Sequence, residues 1–197
     1  MARTRLWVLA WLAIFVVGLS LAAPARAGQA AEAYVQGIAD DVMAIINDDG
    51  LSEKQKRSQL TAILDANIDI EAIALFCLGQ YRQGASQADL DEYIPAFRAY
   101  LIDFYVGQLG DLEGAALKVT GSEDLGGQKG TVVYSEAEAD GDTTEINWRV
   151  KGNSSIQDVE VEGVWVALDL REQLVSVIDE NSGEISAATD RLKEIAD

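Results

Sequence analysis

The sequence predicts an α+β fold: a curved antiparallel sheet of about four or five strands, covered by N- and C-terminal helices and enclosing an apolar cavity. Three observations predict it. Apolar residues recur at helical spacing up to about residue 110, the period falls to two between residues 114 and 163, and helical spacing returns beyond Gly163. Strands that follow one another through short turns pair antiparallel, and a twisted meander curves around whatever it covers.

The elements follow in order. Val35, Ile38, Val42, Ile45 and Ile46 set a first helix over Tyr34 to Asn47, closed by the turn residues Asn47-Asp48-Asp49-Gly50. Ser52 with Gln55 three residues on is a capping box, opening a helix whose buried stripe includes Leu60, Ile63 and Leu64. A short third helix from about Asp69 carries Ile70, Ile73, Ala74 and Leu78 until Gly79 interrupts it. Ser86 and Asp89 form a second capping box, opening what reads as the longest helix, with Tyr93, Phe97, Leu101, Phe104 and Tyr105 on one broad face to about Leu109.

Then the period changes. Leu117 and Val119, the β-branched and aromatic run Thr131 to Tyr134, and the alternating Ile146, Trp148 and Val150 read as strands, with Gly126-Gly127 and Asp140-Gly141 at the turns between them. A fourth strand, Ile156 to Glu162, puts Val159 and Val161 on one side and Asp158, Glu160 and Glu162 on a wet side. Leu168, Leu170, Leu174, Val177 and Ile178 belong to a following helix, Asn181-Ser182-Gly183 stops it, and a last helix carries Ile185, Leu192 and Ile195.

Composition narrows the chemistry. A chain of 197 residues that is 49% apolar has ample material for one core. Lys and Arg total 15 against 33 Asp and Glu, a net charge of −18, which disfavours nucleic acid as a partner. The absence of His removes Ser-His-Asp, Cys-His and His-ligated zinc mechanisms. The single Cys77, in Leu75-Phe76-Cys77-Leu78, can form no internal disulfide and reads as a small buried hydrophobe.

The first segment is an address. Arg3 and Arg5 precede an apolar run from Leu6 to Val17, and Ala25-Arg26-Ala27 is a small-x-small cleavage site. Residues 1–27 therefore read as a signal peptide cleaved after Ala27, with no neighbouring Cys for lipid attachment and no paired arginines for twin-arginine export. The expected location is the periplasm. Residues 28–197 read as a single domain: helical over 30–110, sheet over 114–163, C-terminal helices over 165–196.

A search for reactive groups finds little. Glu136, Glu138, Asp140 and Asp142 look like a calcium loop, but Asn147 stands where the twelfth-position acid belongs, so a solvated hairpin tip is the better reading. Carboxylates are too abundant for any pair to stand out. Arg82, Arg149 and Arg171 are noticeable in so acidic a chain, and surface ion pairing accounts for each.

Three stretches carry a family resemblance. Ile68-Asp69-Ile70, Ile73-Ala74 and Leu78-Gly79-Gln80-Tyr81-Arg82-Gln83-Gly84-Ala85-Ser86 resemble the "F-D-F … L-G-x-W-R-x-A-[ST]" region of the MlaC family, phospholipid-binding proteins of the toluene-tolerance type. Glu145-Ile146-Asn147-Trp148-Arg149-Val150 resembles "I-x-V-x-Y-R-[LV]", and Ile156-Gln157-Asp158-Val159-Glu160-Val161-Glu162-Gly163-Val164 resembles "V-x-D-V-x-V-x-G-V". Order and spacing agree across nearly the whole chain after residue 27. Departures are Tyr81 for Trp, Ile68 and Ile70 for Phe, and Ser154 where the family has Trp, with Trp165 supplying aromatic surface after Gly163-Val164.

The resemblance implies a periplasmic carrier, an auxiliary binding component of an ABC-type lipid transport system that maintains outer-membrane lipid asymmetry. It would shuttle phospholipid between outer- and inner-membrane complexes, as a non-enzyme without cofactor or metal, and a monomer is favoured. Hiding about 30 methylenes is worth on the order of 24 kcal/mol, but a bilayer offers the lipid the same. A carrier must match the bilayer, so its lining should be apolar and its head-group contacts weak. The candidate lipid-binding residues are Phe97, Leu101, Phe104 and Tyr105 from the long helix, Val132, Tyr134, Ile146, Trp148 and Val150 from the sheet, and Leu168, Leu174 and Ile178 from the helix after it.

Two other readings stay open. A cone-shaped isomerase would use Asp158 as base beside Tyr134 and Tyr105, and needs that acid to face inward. An exported interaction module would have a filled core and no cavity.

Overall fold

Capping chemistry marks where the helices begin. The computed structural model describes residues 23–106, 114–139, 141–152 and 154–196, and of residues 23–27 and 105 the backbone alone. The apolar run at residues 6–17 lies outside them. Helix α1 spans Ala23–Ile46 and, at 24 residues, is the longest α-helix among the described residues, while the expected end of the later helix near Leu109 lies outside them. In α2 (Glu53–Asn67) the Ser52 N–H donates to Gln55 Oε1 at 3.0 Å. In α3 (Ile70–Cys77) the Asp69 carboxylate accepts from the Ala72 N–H at 3.1 Å. In α4 (Gln87–Leu101) Ser86 Oγ accepts from the Asp89 N–H and the Ser86 N–H donates to Asp89 Oδ2 at 3.0 Å. These bonds satisfy N–H groups that a helix start leaves unpaired. Helix α4 runs on as a π-helical turn over Ile102–Val106.

Two helices close the chain, α5 (Val166–Glu180) and α6 (Ile185–Ala196). Between them Ser182 and Gly183 take φ of 61° and 88°, and the Gly183 N–H donates to the Ile178 carbonyl at 2.9 Å. That is the six-to-one bond of a Schellman stop.

The strands β1 (Ala116–Asp124), β2 (Thr131–Ala139), β3 (Asp142–Lys151), β4 (Ser155–Val161) and β5 (Val164–Trp165) form an antiparallel meander in that order. Val133 lies opposite Trp148 and Ser135 opposite Ile146, so these four share a face with Val150. Val132 and Tyr134 lie opposite Arg149 and Asn147 and therefore share the other face. This corrects the grouping of Val132 and Tyr134 with Ile146, Trp148 and Val150. The run Thr131 to Tyr134 has no polar alternation to fix its parity, and a one-residue shift exchanges the faces.

Two bulges shape the sheet. Register shifts at Val119/Gly121 and Arg149/Val150 leave Thr120 and Gln157 as extra residues. The second bulge returns Ile156 to the face that carries Val159 and Val161, opposite Val150. Helix α1 lies across β1 and β2 and covers the β1 edge through one side chain. Gln36 Nε2 donates to the Leu117 carbonyl at 3.2 Å and Gln36 Oε1 accepts from the Val119 N–H at 3.0 Å. An otherwise open strand edge is thereby closed to further pairing.

The apolar interior has two parts. Tyr93, Phe97, Leu78, Leu174, Ile178 and Leu192 head a helical core, while Ala31 and Val35 of α1 pack on Val133 and Val150 of the sheet. No helix among the described residues is long and apolar enough to cross a membrane.

Gly130, at φ 70°, opens β2 where a Cβ would stand 2.3 Å from the Val150 carbonyl oxygen of β3. Gly130→Ala is therefore expected to lower stability by about 1–3 kcal/mol, read from denaturant unfolding. Unchanged stability would show that the turn relaxes freely.

Candidate binding cavity

Between the helical core and the sheet lies a half-enclosed cavity of about 320 Å³. Helix α1 supplies Ile38, Ala39, Val42 and Met43, α2 supplies Leu60, Ile63 and Leu64, and α4 supplies Phe97 and Leu101. The sheet supplies Leu117, Ala137, Ile146, Trp148, Ile156, Val159 and Val161, and α5 closes one side with Val166, Ala167 and Leu170. The hollow excludes a solidly filled interior.

Its polar atoms are engaged elsewhere. The Asn67 Nδ2 donates to the Ile63 carbonyl at 2.8 Å and its Oδ1 accepts from Tyr34 at 2.9 Å. Trp148 Nε1 donates to Ser135 Oγ at 2.9 Å, and that hydroxyl donates to the Ile146 carbonyl at 2.6 Å. The indole thus offers the cavity only its ring. Asp158 Oδ1 accepts from the Val159 N–H at 2.9 Å and the Ala167 N–H at 2.8 Å, capping α5 from the neighbouring strand. A cavity built this way favours an apolar guest, because most of its polar atoms already have partners within the protein.

Asp158 is 7% exposed, so it is not on a wet face as the alternation of β4 suggested. The start of α5 covers it. Burial raises its carboxyl pKa above the ordinary range, against the opposing pull of the Ala167 and Val159 N–H groups and of Arg149. Burial likewise pushes the Cys77 thiol up to about 12, so it stays protonated at neutral pH, with Sγ 3.5 Å from the Ala167 carbonyl. Tyr134, the acid's expected companion in an isomerase, donates its hydroxyl to Glu123 at 3.0 Å on the outer face.

Of the residues expected to hold a ligand, Phe97, Leu101, Ile146 and Trp148 line the cavity. Val150 has the right face but packs beneath α1, and Leu174 and Ile178 lie within the helical core. Leu168 and Phe104 are exposed, Phe104 stacking on Tyr100 at 5.6 Å. Val132 and Tyr134 sit on the outer face, and the side chain of Tyr105 lies outside the described residues. The sequence reading assigned α1, α2 and β4 no part in the lining. The stripe Ile38 and Val42 and the pair Val159 and Val161 were the signals that could have pointed there.

The arginines also differ from expectation. Ion pairs among the described residues join Arg57 to Asp103, Arg98 to Asp65 and Arg191 to Glu194, and none involves Arg82, Arg149 or Arg171. Instead, the Arg149 guanidinium lies 4.2 Å over the Trp165 ring and that of Arg171 4.7 Å over Phe76.

Fold and cavity together define a class: an α+β protein whose meander and helices surround an apolar chamber open to a nonpolar guest. Residues 36–194 match the MlaC protein family, and the chain belongs to it. Among solved structures it is similar to the phospholipid-binding protein from Ralstonia solanacearum, which was determined in complex with a phospholipid. The two share 20% identity with a TM-score of 0.72, over 84% of this chain and 96% of that one. No curated protein matches the chain.

Removing the Asp158 carboxylate would leave the buried Ala167 N–H and the part-buried Val159 N–H without this acceptor. Asp158→Ala is expected to lose about 1–3 kcal/mol, and Asp158→Asn, which keeps an acceptor, clearly less, as measured by thermal unfolding. Equal losses for the two would show that the capping bonds carry no weight.

Proposed function

We propose that this protein is a periplasmic phospholipid carrier that holds acyl chains in the cavity between sheet and helices. The observation that carries the reading is the apolar chamber itself, most of whose few polar atoms already have partners within the protein. Membership of the MlaC family and the phospholipid in the similar Ralstonia protein support it. In this reading Phe97, Leu101, Ile146 and Trp148 contact the tails, joined by Val42, Leu60, Val159 and Leu170.

The same reading makes residues 1–27 an export signal and places the remainder as one domain between two membranes. Lipid would arrive from an outer-membrane complex and leave to an inner-membrane ABC transporter, or travel the other way. The net charge of −18 gives no attraction to anionic bilayers, so transfer would proceed through protein docking. Moving a chain from bilayer to cavity exchanges one apolar surrounding for another, so both loading and release stay accessible. A polar clamp deep in the chamber would oppose release.

Native mass spectrometry of the purified protein tests this directly. Phospholipid is expected to co-purify with the parent protein. Ala137→Trp, which fills the chamber from the sheet, should reduce the lipid at least tenfold while leaving the circular dichroism spectrum unchanged. Purified protein that carries no lipid and takes up none from labelled vesicles would end the carrier reading.

A further inference from the structure

We propose that a second groove, bordering the cavity at Ile73 and Asp158, is a seat for a phosphate-type oxyanion. The groove has a volume of about 510 Å³. Ile73 and Phe76 of α3 and Leu125 of the β1–β2 connection form its apolar part, and Gln128, Lys129, Arg149 and Gln157 form its polar part. Rolled together by the meander, these residues come from four separate stretches of sequence.

Arg149 is the central observation. Its guanidinium lies over the Trp165 ring, its Nε is buried without a hydrogen-bond partner, and it forms no ion pair among the described residues. A buried donor left unpaired in a native fold calls for an explanation, and an acceptor bound at this guanidinium supplies one. Lys129, on an exposed turn, also has no ion-pair partner among the described residues, although acids outnumber bases 33 to 15 in this chain. The one carboxylate lining the groove, Asp158, directs Oδ1 to the Val159 and Ala167 N–H groups. Two cations against one anion leave a single positive charge for the guest.

A planar guanidinium presents a fork of donors that suits phosphate oxygens, and a nearby ammonium adds a point charge. The bulge that makes Gln157 the extra residue of β4 places its carboxamide beside the groove. Phe76 and Leu125, each 39% exposed, suit the carbon attached to an esterified phosphate better than a free ion. The phosphodiester of a lipid whose chains fill the adjoining cavity meets all of these conditions, and in that source the seat rests on the carrier reading. At the rim, such a contact orients the lipid without clamping its tails.

Calorimetric titration of the delipidated protein tests the seat with three probes: dihexanoylphosphatidylglycerol, dihexanoylglycerol and inorganic phosphate. The parent protein should bind the phospholipid about tenfold tighter than the phosphate-free lipid. Arg149→Met with Lys129→Gln should remove that difference while leaving dihexanoylglycerol binding unchanged. Lys129→Gln alone, on its exposed turn, should remove part of it, which covers the event that the Arg149 variant fails to fold. Saturable inorganic phosphate binding that the double variant loses, and that the lipids do not compete for, would uphold the seat and assign it to free phosphate. Parent protein that binds both lipids equally and no inorganic phosphate overturns the seat while leaving the carrier reading intact. If neither lipid binds, the carrier reading fails, and phosphate binding lost in the double variant alone decides the seat.

Discussion

One carboxylate joins the two halves of this molecule. Asp158 on β4 accepts the Val159 N–H of its own strand and the Ala167 N–H at the start of α5, so the C-terminal helix begins at a fixed position on the sheet. Helix α5 in turn packs on α3, and its Leu174 and Ile178 are part of the helical core. The spacing between that core and the sheet follows from this tie at one side and from α1, laid across β1 and β2, at the other. Between the two supports no side chain reaches far enough to fill the gap. The chamber is thus a consequence of how two well-packed layers are held apart.

An apolar void is normally a liability, since unfilled volume forfeits contacts that a packed core would make. Here the lining is arranged so that water gains little by entering. Asn67, Ser135, Trp148 and Asp158 all direct polar atoms to protein partners. A guest made of methylenes recovers the forfeited contacts, and the free energy it gains resembles what it had in a bilayer. Such a balance suits a protein that must take up its cargo and also give it away.

Charge is distributed with the same economy. The ion pairs among the described residues, such as Arg98 with Asp65, are exposed and add little stability. Arg149 and Arg171 instead lie over aromatic rings, and neither lines the cavity. Positive charge is thereby kept close to the chamber without entering it, in a chain whose overall field is strongly negative.

By itself the sequence determined the elements. Capping residues Ser52, Asp69 and Ser86 start helices through bonds within one turn, and Ser182 and Gly183 stop one through their positive φ, so short-range chemistry suffices for all of them. The change of period from helical to alternating similarly exposed the antiparallel meander, and the family motifs were readable as strings. The faces and the partners were decided only by the tertiary structure. The parity of Thr131 to Tyr134 depends on register with β3, and the return of Ile156 to the inner face depends on a bulge. The share of the cavity that falls to α1 and α2 depends on where those helices dock. Each is set by contacts between residues far apart in the chain, and a pattern of apolar side chains shows that a residue is buried but not against what.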